Sequence, residues 1–193
     1  MNTKTEATKI ERLINYPEWF MLRGLVMLIL GVLLLIFSML VPNVEMLGVQ
    51  SSWLLFGSIL ILIAGVLRAI DAYISDRVAL KVMNMQSSII DLVCGFVILT
   101  NLGETALTLS LIVAAYLMIQ GLFRLGFIYL SEIPNPNSAR IGGIVSVLLG
   151  MMVWLQWPFN GLWFLSFALS TEIANRGWAL IFYARSVRNS QTD

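Results

Sequence analysis

Asp91 and Glu172 stand out among the ionisable residues because each lies deep inside a long apolar stretch of the chain. Arg176 follows Glu172 by four residues, so this acid and base share one helix face in the favourable order. Asp91 has no basic residue within a turn on its own helix, and it therefore needs a partner from another helix, a wet cavity or a bound proton. Acids in such surroundings either hold helices together or take part in proton movement.

Three arginines occupy matching places in the chain. One lies near the end of each of the second, fourth and sixth apolar stretches: Arg68, Arg124 and Arg176. Their long side chains are expected to reach the nearby membrane interface, and Asp71 is expected to pair with Arg68 three residues before it. The chain contains an internal repeat, described below, in which Ser146 occupies the position equivalent to Asp91. A polar residue therefore recurs at that depth. The predicted intramembrane polar site comprises Asp91, Glu172, Arg176, Arg124, Arg68 and Ser146. If the site is structural, either Tyr116 or an arginine is a candidate to complete its hydrogen bonds.

Two interpretations of this site remain open at the level of sequence. In the first, the polar groups satisfy one another between helices and fix the packing. In the second, the two carboxylates form a pH-responsive or proton-conducting site that titrates as the compartment acidifies.

The elements that carry these residues are six nearly charge-free stretches of about 20 residues, each long enough to cross a hydrocarbon core of about 30 Å. Apolar residues make up 59% of the 193 residues and charged residues only 12%, which excludes an ordinary soluble domain. We therefore predict an all-α polytopic membrane protein with six transmembrane helices. The predicted spans are 19–41, 50–73, 84–101, 106–129, 140–157 and 160–183.

A two-helix hairpin is repeated three times along the chain. The first helix of each hairpin carries a small residue followed seven positions later by glycine, and the second carries the late arginine; the small pairs are Gly24/Gly31, Ser88/Gly95 and Gly143/Gly150. Residues seven apart share a helix face, so each pair predicts a groove for close helix approach. The repeats cover about 19–75, 84–130 and 140–184 of a membrane domain 19–184, between an N-terminal tail 1–18 and a C-terminal tail 185–193.

All twelve lysine and arginine residues fall on one side of this map, or in the half of a helix nearest that side. The opposite turns, 43–49, 102–105 and 158–159, contain only Glu45 and Glu104 as charged residues. This asymmetry predicts that both termini are cytoplasmic.

The composition also excludes several kinds of chemistry. The chain has no histidine, so no imidazole-based nucleophile pair or metal site can form, and its single cysteine, Cys94, cannot make an intrachain disulfide. No paired metal ligands, nucleophile–base set or phosphate-binding glycine loop is present, so neither an enzyme nor a cofactor is expected. A net charge of +1 gives no reason to expect nucleic acid as a partner. The expected partner is the lipid bilayer, a homo-oligomer is compatible with the short helices, and no small-molecule substrate is identifiable.

The chain resembles the HdeD family of small bacterial inner-membrane proteins over about residues 17–188. The resemblance rests on the Gly24-x6-Gly31 span ending at Pro42, on the arginine near the inner end of the paired helix, and on the Trp157-Pro158 turn before Glu172-Ile-Ala-Asn-Arg176-Gly177. It implies a six-helix fold in the inner membrane and a role in resistance to acid or envelope stress. A small transporter or a proton or solute channel, with a pathway past Asp91 and Glu172, is the alternative.

Overall fold

Six helices make up nearly all of the residues that the structure describes, which confirms the predicted all-α class. The computed structural model describes residues 17–41, 45–46, 49–50, 53–74, 78–130, 137–157 and 162–189. The helices are α1 (Pro17–Leu40), α2 (Leu54–Ile74), α3 (Val78–Thr100), α4 (Ala106–Leu130), α5 (Asn137–Trp154) and α6 (Leu162–Asn189). Two short antiparallel strands, β1 (Glu45–Met46) and β2 (Val49–Gln50), pair between α1 and α2.

Several helices are suited in length and polarity to a membrane. Met21–Leu40, Leu54–Tyr73 and Ala106–Ile128 are each long and apolar enough to cross one, and α3 and α5 contain shorter apolar helices, Asn84–Thr100 and Ala139–Trp154. Large apolar side chains such as those of Leu40, Phe96 and Leu148 point outward from the helices, as lipid-facing residues do. The chain is a multi-pass helical membrane protein.

The helix ends differ from the predicted spans by four or more residues in three places. α2 begins at residue 54 rather than 50, because β2 occupies Val49–Gln50. α3 begins at residue 78, six residues earlier than predicted, and α6 continues to residue 189, through much of the predicted C-terminal tail. The predicted N-terminal tail lies outside the described residues, except for residues 17 and 18, which begin α1.

The helices are paired in hairpins, and the closest packing joins helices of different repeats: α2 with α3, α4 with α5, and α1 with α6. The small-residue grooves explain these pairs. A Cβ added to Gly95 would lie 2.9 Å from the Leu62 side chain of α2, and one added to Gly150 would lie 3.0 Å from the Met118 backbone nitrogen of α4. A Cβ added to Gly31 would lie 2.5 Å from the backbone nitrogen of Ala174 in α6. Each predicted groove thus receives the second helix of another repeat.

Candidate functional site

Asp91 lies fully buried in α3 and accepts hydrogen bonds from three other helices. Its Oδ1 accepts from the Tyr116 hydroxyl at 2.9 Å, from Gln120 Nε2 at 2.8 Å and from Arg176 Nη1 at 2.9 Å. Its Oδ2 accepts from Arg68 Nη1 at 3.0 Å and from Arg176 Nη1 at 2.9 Å. The partner that Asp91 needs from outside its own helix is therefore a pair of arginines, one from α2 and one from α6.

Glu172 is the second buried acid, and it is also held from more than one helix. Its Oε1 accepts from Arg124 Nη2 of α4 at 2.7 Å and from Arg176 Nε at 2.8 Å. Its Oε2 accepts from the hydroxyl of Ser146 on α5. The Glu172–Arg176 pair has the predicted spacing of four residues along one helix face.

Arg176 joins the two acids, since its guanidinium binds both Asp91 and Glu172. Its Nη2 also donates to the Tyr116 hydroxyl at 2.6 Å, and its guanidinium carbon lies 5.6 Å from the centre of the Tyr116 ring, within range of a cation–π contact. Only 1% of the Arg176 side chain is exposed. The expectation that this arginine reaches the interface is wrong, because two carboxylates hold it inside.

The predicted pairing of Arg68 with Asp71 is also wrong. Asp71 accepts instead from Arg23 Nη1 of α1, while Arg68 turns to Asp91 of α3. An exposed pair three residues apart on one helix contributes only about 0.2–0.5 kcal/mol, whereas a buried charge without a partner costs several. Arg68 therefore pairs with the buried charge of Asp91 on α3, and Asp71 pairs with the buried charge of Arg23 on α1.

Glycines allow these side chains to approach one another. Ser88 donates to the backbone oxygen of Gly65 at 2.8 Å, which brings α3 against α2 one turn before Asp91. A Cβ on Gly65 would lie 3.1 Å from the Asp91 Cβ. On α5, a Cβ on Gly142 would lie 2.8 Å from Arg124 Nη1, so the absence of a side chain there leaves the path of Arg124 to Glu172 clear.

The structure brings together all six residues of the predicted polar site, and with them Tyr116. These residues form a buried polar network that joins five helices, namely α2 through Arg68, α3 through Asp91, α4 through Arg124, α5 through Ser146 and α6 through Glu172 and Arg176. The Arg23–Asp71 pair adds the sixth helix, because it connects α1 to α2. Each carboxylate oxygen of Asp91 and Glu172 already accepts from at least one donor, an arrangement that suits the ionised acids. Within the described part of the chain, no three His, Cys, Asp or Glu side chains come together as metal ligands would.

Sequence reasoning missed Gln120, which belongs to the network, and Arg23, which belongs to the separate Arg23–Asp71 pair. Gln120 lies four residues before Arg124, the position that Glu172 holds relative to Arg176, so the repeat itself carries the signal for it. Arg23 lies next to the first glycine of the Gly24/Gly31 pair, and nothing in the sequence indicates that it turns inward to α2 rather than outward.

The comparison with protein families gives one match. The model of a short repeat of unknown function, DUF308, matches residues 86–155. These residues run from α3 through α4 to the end of α5, and they include Asp91, Arg124 and Ser146. No curated protein and no solved structure matches the chain.

Proposed function

We propose that this chain is a non-enzymatic integral protein of the bacterial inner membrane, similar to the HdeD proteins, that supports resistance to acid or envelope stress. In this proposal both termini are cytoplasmic, as the one-sided distribution of lysine and arginine favours. The buried polar network and the Arg23–Asp71 pair together act as the scaffold that keeps six helices in one arrangement.

The observation that carries the scaffold role is the complete pairing of Asp91 and Glu172. Both acids are fully buried, and arginines from α2, α4 and α6 bind them. A carboxylate that carries protons has to gain and lose a proton during each cycle, and a proton bound here would displace an arginine donor. This cost favours a fixed structural site over a path for protons.

A small transporter or channel past Asp91 and Glu172 is the second candidate. Arg176 supports it, because this residue connects the two acids into one continuous chain of polar groups inside the helix bundle. Charged residues in such positions often line transport pathways.

Survival of a deletion strain in strongly acidic medium tests both candidates. The strain is complemented with the wild type, Asp91→Asn or Glu172→Gln at matched membrane levels, and challenged at about pH 2.5, below the ordinary pKa of carboxylic acids. We expect the wild type to restore survival. Any variant that still assembles with the wild-type stability is expected to restore it as well, because the acids act through the fold.

The control is proton flux in vesicles that contain each purified protein. A variant that assembles normally but loses both survival and proton flux would refute the scaffold role and support the transport pathway. If the wild type itself makes no difference to survival, the stress role is wrong, and the membrane architecture is unaffected by that result.

A further inference from the structure

The buried polar network has an excess of positive charge. Three arginines meet two carboxylates in it, Asp91 and Glu172, while the separate Arg23–Asp71 pair is balanced. An uncompensated charge in a hydrocarbon environment costs at least about 2.5–3.5 kcal/mol, so an additional anion near the network would stabilise it.

The excess lies toward the outside of the network. Asp91, Glu172 and Arg176 have side chains that are at most 1% exposed, but the Arg68 side chain is 20% exposed and that of Arg124 is 15% exposed. Both arginines precede the last residue of their helix by six positions, which is about 9 Å along the helix axis. This depth is within reach of the headgroup region for a long side chain.

Arg124 has unused hydrogen-bonding capacity. Its Nη2 binds Glu172, whereas its Nη1 is buried without a hydrogen-bond partner among the residues that the structure describes. A Cβ built on Gly142 of α5 would lie 2.8 Å from this Nη1 and 3.0 Å from the Asn175 side chain of α6, and the Asn175 amide donates to the Gly142 oxygen at 3.1 Å. A buried guanidinium nitrogen without an acceptor is costly, and a second anion would remove that cost.

We propose that Arg124 binds a phosphate group beside Gly142 of α5, where its partly exposed side chain reaches the surface. The phosphate belongs to an anionic phospholipid or to free inorganic phosphate. A guanidinium can bind one anion with one edge and a second with the other, and phosphate matches its planar pair of donors. Basic clefts between transmembrane helices are established places for phospholipid headgroups.

Arg140 provides the matched control for this site. It lies on α5, two residues before Gly142, and it is exposed. Positions two apart point to nearly opposite sides of a helix, so Arg140 carries the same charge at the same end of the bundle without facing Arg124. General attraction between a basic surface and anionic lipid depends on both arginines alike, whereas the proposed site depends on Arg124.

The test measures the thermal unfolding midpoint of the full chain in detergent micelles during titration. Three probes are used: phosphatidylglycerol, diacylglycerol with the same acyl chains but no phosphate, and inorganic phosphate. We expect phosphatidylglycerol to raise the midpoint and diacylglycerol to leave it unchanged. Arg124→Gln is expected to weaken the phosphatidylglycerol effect by at least about tenfold in concentration, as the loss of a charge-assisted hydrogen bond predicts, and Arg140→Gln to change it less than about twofold.

The double variant Arg124→Gln/Glu172→Gln keeps the test decisive if Arg124→Gln alone does not fold, since it removes the arginine together with the acid that it binds. A response to phosphatidylglycerol alone identifies a lipid headgroup, and a response to inorganic phosphate identifies the free anion; either supports the site. An equal response of the wild type and the folded Arg124 variant, an equal loss in Arg140→Gln, or no response of the wild type to either phosphate probe would overturn it.

Discussion

Replacing Asp91 with asparagine keeps the shape of the side chain but removes the anion that Arg68 and Arg176 share. Both carboxylate oxygens accept from Arg176, so the new amide nitrogen faces a guanidinium in either orientation. The network would then hold three arginines against Glu172 alone. Asp91→Asn is therefore expected to be among the most destabilising single changes that preserve side-chain volume in this protein.

The structure allows two estimates of the loss. Intramembrane hydrogen bonds average about 0.6 kcal/mol each, so losing the two arginine contacts at Oδ2 would cost about 1 kcal/mol. Removing one partner of a fully buried ion pair costs about 3–5 kcal/mol, because a buried charge is left behind. Asp91 is 0% exposed, and its partner Arg176 is almost completely buried, so we expect the larger value.

The double variant Asp91→Asn/Arg176→Gln separates charge from hydrogen bonding. It leaves Arg68 and Arg124 with Glu172, and thus restores the wild-type excess of one positive charge. If uncompensated charge dominates, the double variant is less destabilised than Asp91→Asn alone, with a coupling energy of about 1–3 kcal/mol. If the loss of hydrogen bonds dominates the destabilisation, the free-energy loss caused by Arg176→Gln adds to the loss caused by Asp91→Asn.

The assay is reversible unfolding of the purified chain in mixed micelles with increasing sodium dodecyl sulfate, followed by far-ultraviolet circular dichroism. Glu104→Gln is the matched control, because it removes a carboxylate that is exposed between α3 and α4, and it is expected to leave the free energy of unfolding unchanged. A loss of about 1 kcal/mol or less for Asp91→Asn, or simple additivity in the double variant, would refute the charge argument.

Two glycine substitutions test the packing that surrounds the network. Gly31→Ala places a methyl group 2.5 Å from the backbone nitrogen of Ala174, which cannot move aside, so we expect a loss of about 1–3 kcal/mol in the same unfolding assay; Gly57→Ala, with its nearest atom at 3.6 Å, is expected to have almost no effect. Gly142→Ala displaces Arg124, and its cost is expected to largely disappear when Arg124 is already glutamine, whereas additive losses would show that the methyl group acts elsewhere.

The sequence predicts the helices well because hydrocarbon thickness and the exclusion of charge determine where each helix can lie. It predicts the members of the network for a related reason, since any ionisable group at that depth needs a partner. Asp91 and Glu172 could thus be identified before any partner was known. The partners could not, because they depend on which helices pack together.

The glycine grooves likewise indicate that another helix packs closely, but they do not identify that helix. The Gly24/Gly31 spacing indicates that some backbone approaches α1, but glycine has no side chain that could specify which one. In the structure α6 occupies this place, and a Cβ on Gly177 of α6 would collide with the backbone nitrogen of Leu28 in α1. A contact between residues so far apart in sequence depends on the closure of the whole bundle, and no local pattern contains that information.

The cyclic pairing gives a reason for the charge excess. The first helix of each repeat packs against the second helix of another repeat, and the pairing is cyclic because α1 of the first repeat packs against α6 of the third. Each of the three repeats therefore supplies one arginine to the network from its second helix. The first repeat has Met27 where the second has Asp91, and Ala64 where the third has Glu172. It therefore contributes Arg68 and no acid at either position. The imbalance of three arginines against two carboxylates follows from this difference between repeats, and an added anion would supply the charge that the first repeat lacks.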